Sequence, residues 1–115
     1  MLDINCVFCK IIRKESPAEI IKEWSNALAF KPLNPVTDGH ILVIPKFHVR
    51  DFRDILPEYA GSLFGHVIEL TNKNNCYNLI TSAGSNATQT VFHLHWHIVP
   101  RRKDDDLPLP WTTQL

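Results

Sequence analysis

The sequence predicts an α+β domain with a mostly antiparallel sheet of about five strands, one long helix and one short helix. Three observations carry this. Short segments rich in apolar and β-branched residues recur at Ile20 to Trp24, Ala27 to Lys31, Ile41 to Ile44, Tyr77 to Ser82 and Val91 to Val99. Hairpins rather than long crossovers join them, whereas parallel strands need connections of about a dozen residues or more. Only residues 57–72 keep helical spacing over several turns. At 115 residues the chain can build one core but not two, so residues 1–115 are read as a single domain.

The elements follow in order. Residues 6–15 place Val7, Phe8, Ile11 and Ile12 at helical spacing, which predicts the short helix, and Ser16-Pro17 ends it. Ser25-Asn26 supplies turn chemistry between the first two strands. A turn-rich loop with Pro32, Asn34, Pro35, Asp38 and Gly39 leads to His40. The unbroken apolar run Ile41-Leu42-Val43-Ile44 suits a central strand covered on both faces, and Pro45 stops it. Pro57 fits the first turn of the long helix, where Ala60, Leu63, Phe64, Val67 and Ile68 form the apolar stripe. Gly61 and Gly65 cost that helix about 1 kcal/mol each unless another backbone packs closely there. His66 reads as a surface residue and Cys76 as a small core residue. The 83–88 loop holds Gly84, Ser85 and Asn86, a backbone able to approach an anion. Residues 103–115 read as an extended tail containing Trp111.

Composition excludes several classes. Twelve basic and twelve acidic residues give a formal net charge of zero, so a broad electrostatic grip on nucleic acid or an anionic membrane is not expected. No apolar run approaches the ~18 residues of a membrane span, and the N-terminus lacks a signal-peptide layout. The expectation is a cytoplasmic protein.

The chemistry concentrates in Val91-Phe92-His93-Leu94-His95-Trp96-His97-Ile98-Val99. As a strand, this run puts His93, His95 and His97 on one face, about 6.6 Å apart, with Leu94, Trp96 and Ile98 facing a core. Imidazole titrates near neutrality, binds metals and is nucleophilic when neutral. Cys6 and Cys9, three residues apart, could reach one ion. A redox pair or plain buried thiols are the rival readings of C-x-x-C.

These residues resemble a known family. His93-Leu94-His95-Trp96-His97-Ile98-Val99 resembles the histidine triad signature of the HIT superfamily. Cys6 to Ile12, Asn34 to His48, and Gly84 with Gln89 to Val91 resemble further blocks of its Hint-like branch, in the same order. The likeness covers residues 5–102, leaving 103–115 as the tail.

The resemblance implies a HIT-like fold and a nucleotide hydrolase or transferase. Such an enzyme acts at the α-phosphorus through a nucleotidyl-histidine, with a purine nucleotide or nucleoside phosphoramidate as substrate. By position it implies His95 as nucleophile, His97 and Thr90 on the phosphate and leaving group, and His40 as support for the triad. Ser82 stands near the phosphate, and Gln89 in the stretch before the triad. Val7, Phe8, Ile11, Phe30, Leu33 and Val91 match the nucleoside pocket, and each also has an ordinary core reading. In relatives of bacterial type the likeness implies a structural zinc on Cys6, Cys9, His48 and His93, with no catalytic metal. It further implies a homodimer, and a tail in which Trp111 reaches a neighbouring active site. Pro32 stands where the family usually has an aspartate that grips the ribose, so weaker ribose discrimination is expected. Other readings are a catalytic metal on the triad, a non-enzymatic zinc-stabilised nucleotide-binding module, and a dinucleoside polyphosphate hydrolase.

Overall fold

The computed structural model describes residues 3–111. It has the order α1 (Val7–Ile12), β1 (Glu19–Glu23), β2 (Ala27–Lys31), β3 (Ile41–Pro45), α2 (Pro57–Glu69), β4 (Cys76–Ile80) and β5 (Trp96–Arg101), with a 3₁₀ turn at Ser85–Ala87. All strands join one five-stranded sheet in the order β1-β2-β3-β5-β4, and every neighbouring pair is antiparallel. The expected α+β architecture is the one found.

Side-chain alternation along β2 and β3 explains the two-sided core. Ala27, Ala29 and Val43 face α2, where they pack with Leu63, Val67, Leu94 and Ile98. Leu28, Phe30, Leu42 and Ile44 face the other way, onto Phe8 and Ile11 of α1. The central strand β3 is covered on both faces, hence its unbroken apolar run.

Several boundaries and placements differ from expectation. The short helix begins at Val7 because Cys6 caps it, its Sγ accepting the Cys9 N–H at 3.4 Å, and it stops before Lys14 turns left-handed at φ 64°. Cys76 is not a core residue: it is exposed at the start of the edge strand β4. His66 is not a free surface residue either. It stacks on Trp24 at 4.1 Å, and its Nε2–H donates to Asn26 Oδ1 at 2.9 Å.

Among the described residues no other element approaches Gly61 or Gly65, since a Cβ at either would meet nothing within 4 Å. The exposed part of α2 carries Phe64 and Ile68.

The histidine run is only partly a strand. Pairing begins at Trp96, where β5 lies between β3 and β4. Before it, bonds outside the strand ladder occupy the backbone groups. The His93 carbonyl accepts from His95 Nδ1 at 2.8 Å, and the His95 carbonyl accepts from Thr81 Oγ1 at 2.8 Å. The Leu94 N–H donates to the Val49 carbonyl at 2.7 Å.

Candidate active site and metal cluster

Two clusters meet along residues 93–97. The first gathers Cys6 and Cys9 from the start of α1, His48 after β3, and His93. One ligand atom from each lies within 4.8 Å of the others. The closest approaches are Cys6 Sγ to His93 Nδ1 at 3.4 Å, and Cys9 Sγ to His48 Nδ1 and to His93 Nδ1 at 3.5 Å each. A tetrahedral ion with bonds of about 2.3 Å to sulfur and about 2.0 Å to nitrogen would hold S···N pairs about 3.5 Å apart. His93 Nε2–H donates to the Pro45 carbonyl at 3.0 Å, which leaves the Nδ1 lone pair for an ion. Burial raises the Cys9 thiol pKa, and a cation within the cluster would reverse that. The donor set fits a metal.

The second cluster is His40, His95 and His97, and backbone partners determine which nitrogen of each neutral ring carries the proton. A carbonyl can only accept, so His95 Nδ1–H donates to His93 O at 2.8 Å and Nε2 keeps its lone pair. The Val36 N–H donates to His40 Nδ1 at 3.1 Å, so His40 carries its proton on Nε2. That Nε2–H donates to His97 Nδ1 at 3.0 Å, which leaves His97 with Nε2–H. The His95 and His97 rings are 4.9 Å apart. Lone pair and proton therefore sit on neighbouring rings.

Burial holds these imidazoles neutral. It lowers the pKa values of His40 and His95, the latter against the opposing pull of the His93 carbonyl. His97 is pushed down to about 4, first by burial and then by His95 and His40. His93 also falls to about 4, mainly through burial.

His40, His95 and His97 line a cavity of about 330 Å³ together with Ser82, Gln89 and Thr88. Gln89 braces the loop beside it. Its Oε1 accepts the Gly84 N–H at 2.8 Å, and its Nε2 donates to the carbonyls of Arg50 at 2.7 Å and Val91 at 3.2 Å. Gly84 with φ 94° and Thr88 with φ 71° bend that loop.

The other site residues read from the sequence lie elsewhere. Thr90 is exposed and lines a separate hollow with His48, Arg50, Val7 and Val91. Phe8, Ile11 and Phe30 are packed into the core on the α1 side, with Val91 against them, and Phe8 meets the His95 ring edge-on at 5.2 Å. Val7 is 44% exposed and Leu33 is 94% exposed.

Sequence reasoning missed Val36, Thr88 and the segment Leu107 to Leu109, which also line the cavity. Val36 was findable in principle, four residues before His40; no pattern marks the tail. Trp111 is half-exposed at the end of the described residues.

The model of the HIT domain family matches residues 13–104, from the end of α1 through the whole triad. The chain belongs to the HIT domain family. Among its HIT relatives, "Adenylylsulfatase HINT3" of Arabidopsis thaliana is 36% identical over 112 residues, covering 92% of this chain and 57% of the relative. "Adenosine 5'-monophosphoramidase HNT1" of Saccharomyces cerevisiae is 34% identical over 116 residues, covering 98% of this chain and 73% of the relative. Among solved structures, a zinc-bound histidine triad family protein from Mycobacterium smegmatis superposes with a TM-score of 0.80 at 40% identity, covering 92% of this chain and 81% of that one. Cys6 and Cys9 precede the residues that the HIT model matches.

Proposed function

We propose that this HIT protein is a nucleotide hydrolase or transferase that acts at the α-phosphorus through a nucleotidyl-histidine, with purine nucleoside phosphoramidates as its substrate class. One observation carries the reading: His95 keeps an Nε2 lone pair and His97 an Nε2 proton in one cavity. In the first step His95 Nε2 forms a bond to phosphorus and the phosphorus–nitrogen bond breaks. His97 Nε2–H donates a hydrogen bond to the departing nitrogen, which leaves as the neutral amine with a proton drawn from solvent. Water then cleaves the histidine–phosphorus bond, releasing nucleoside monophosphate and a proton to solvent and restoring His95. Ser82 lines the same cavity and would support the developing charge. The names of the yeast and Arabidopsis relatives support a substrate with an adenylyl group bonded at phosphorus.

Cys6, Cys9, His48 and His93 hold zinc in this reading, and the zinc-bound relative supports that choice. The ion would tie the N-terminus and the β3 exit to the triad, a structural role with no part in the chemistry. We further propose a homodimer formed through α2, supported by the exposed Phe64 and Ile68 and the open Gly61 and Gly65. No helix among the described residues is long and apolar enough to cross a membrane. We place the protein in the cytoplasm.

The deciding experiment compares the wild type with His95→Ala on an adenosine phosphoramidate, a guanosine one, a dinucleoside polyphosphate and a nucleotide sugar, with and without chelator. Release of nucleoside monophosphate by the wild type alone, best from a phosphoramidate and unaffected by brief chelation, is the expected result. Nucleotide binding with no turnover by either protein overturns the enzymatic reading in favour of a binding module. Immediate loss of activity on chelation would overturn the metal-free chemistry.

A further inference from the structure

The loop before the triad is bent at two left-handed residues, and only one of them is a glycine. Gly84 reaches φ 94° without penalty, having no Cβ. Thr88 holds φ 71° and ψ 19° with a β-branched side chain, which strains the backbone. Neighbouring bonds impose the strain. The Thr88 N–H donates to the Ser85 carbonyl at 3.0 Å, and the Gln89 N–H donates to the Gly84 carbonyl at 3.1 Å. Gln89, only 4% exposed, anchors the next residue of the chain to the Arg50 carbonyl at 2.7 Å. The strained threonine lines the cavity that holds His95 and His97. It is also exposed, so it stands at the rim where bulk water enters.

The Thr88 hydroxyl proton is already committed, because Oγ1 donates to the carbonyl of Ala87. Toward the cavity this oxygen can therefore only accept. The other polar side chains there are engaged differently. His97 Nδ1 accepts from His40, and its Nε2–H can only donate. The Gln89 amide is bonded to Gly84, Arg50 and Val91, and Asn78 Oδ1 accepts from Arg101. Ser82 donates to the developing charge in the reaction above. In-line displacement brings water in on the side that the amine has left, opposite the His95–phosphorus bond. That water needs an acceptor for one hydrogen if a lone pair is to face phosphorus. Thr88 Oγ1 is placed to be that acceptor.

We propose that Thr88 orients the attacking water of the second step, accepting one of its hydrogens on Oγ1, and so sets how fast the nucleotidyl-histidine is hydrolysed. The water oxygen bonds to phosphorus as the His95 Nε2–phosphorus bond breaks. The electron pair of that bond returns to Nε2, and a proton passes to solvent. The inference rests on the proposed nucleotidyl transfer at His95. It accounts for a strained threonine at a position whose backbone favours glycine. A glycine would relieve the strain and carry no oxygen.

Rapid-quench single turnovers of an adenosine phosphoramidate test this, with formation and decay of the adenylyl-enzyme read by intact mass. Wild type, Thr88→Ser, Thr88→Val and Thr88→Gly are compared. Valine keeps the branched shape without the oxygen, and glycine adopts φ 71° without strain. Both are expected to slow decay about 10- to 100-fold while formation stays within about threefold of wild type, so that adenylyl-enzyme accumulates. The conservative Thr88→Ser restores decay to within about threefold of wild type. Thr88→Gly is expected to melt at or above the wild-type temperature, so its slow decay cannot come from unfolding. Equal slowing of formation and decay overturns the proposal, as does unchanged decay in the valine and glycine variants. A serine variant as slow as the valine one overturns it too. A wild type that forms no adenylyl-enzyme and releases no nucleoside monophosphate overturns the transfer reading instead, and this inference falls with it.

Discussion

His95 donates its Nδ1 proton to the carbonyl of His93, two residues back, at 2.8 Å, and His93 presents its own Nδ1 to the two cysteines. One short stretch of backbone therefore joins the candidate metal cluster to the ring that keeps its Nε2 lone pair. His95→Ala removes that lone pair. Its kcat is expected to fall on the order of 10⁴-fold or more, while nucleoside monophosphate still binds within a few-fold of wild type. Rapid-quench isolation of a nucleotidyl-protein from wild type and not from the variant checks the assignment. A labelled intermediate in the variant would place the nucleophile elsewhere.

In the proposed mechanism His40 acts through His97, as a positioning residue. Its Nδ1 accepts from Val36 and its Nε2–H donates to His97, so the ring passes on a proton orientation. Glutamine offers one acceptor and one donor group at similar reach. His40→Gln is thus expected to keep most of the kcat, whereas His40→Ala loses about 10- to 100-fold. The alanine variant should also show an altered pH profile, because its His97 is free to carry the proton on either nitrogen. Equal losses in both variants would mean that His40 serves packing alone.

Metal removal should show first in stability. The cluster joins the start of α1, the β3 exit and the triad approach, so the free energy of metal binding acts as folding free energy. Cys9→Ser, or prolonged chelation, is expected to lower Tm by about 10 °C or more, equivalent to a few kcal/mol in a domain of this size. Stoichiometric metal by elemental analysis, lost in the variant, identifies the ion. An unchanged Tm after verified metal loss would remove its structural role.

Acid should destabilise the fold through His97. Its pKa is about 4 in the folded state against an ordinary 6.5, because burial and the neighbouring His95 and His40 disfavour the imidazolium. Between those values the unfolded chain binds a proton that the folded chain refuses, so stability rises with pH across that window. The contribution is complete above about pH 6.5 and declines as pH falls toward 4. With allowance for the partial exposure of the ring, the loss at pH 5 is about 1 kcal/mol. Urea midpoints at pH 5 and 7.5 should differ less in His97→Asn than in wild type. An equal difference in the two proteins would assign the acid sensitivity to other groups.

The glycines of α2 test the proposed dimer. Within one protomer Gly61→Ala meets open space and should stabilise the helix by about 0.5–1 kcal/mol. If a second copy packs closely over this face, the added methyl group opposes association, and light scattering of Gly61→Ala at micromolar concentration should show a shift toward monomer. A wild type that is already monomeric refutes the dimer.

The sequence made the layers legible because local rules wrote them. The unbroken run Ile41 to Ile44 marked a strand covered on both faces, and the spacing of Leu63 and Val67 marked the helix above it. The pairing of Cys6 and Cys9 with His48 and His93 came from family likeness, since ligands this far apart in the chain leave no periodic trace. Other features were hidden for physical reasons. Cys76 was misread because an apolar-looking cysteine on an edge strand has the same neighbours in sequence as one in a core. The wall at Leu107 to Leu109 depends on left-handed aspartates and a guanidinium fork, tertiary details that no periodicity encodes.

The position of β5 between β3 and β4 governs how the molecule comes into being on the ribosome. The first three strands form a meander of neighbours and can pair as they emerge, but β4 has no partner until residues 96–101 have been made. A nascent chain that stops before then leaves one side of β3 and the whole of β4 unpaired, with His97 missing. The last strand to be synthesised locks the two halves and completes the histidine cluster in one event. Catalytic competence should therefore appear only with the finished sheet, and a half-made chain has adhesion to offer but no chemistry.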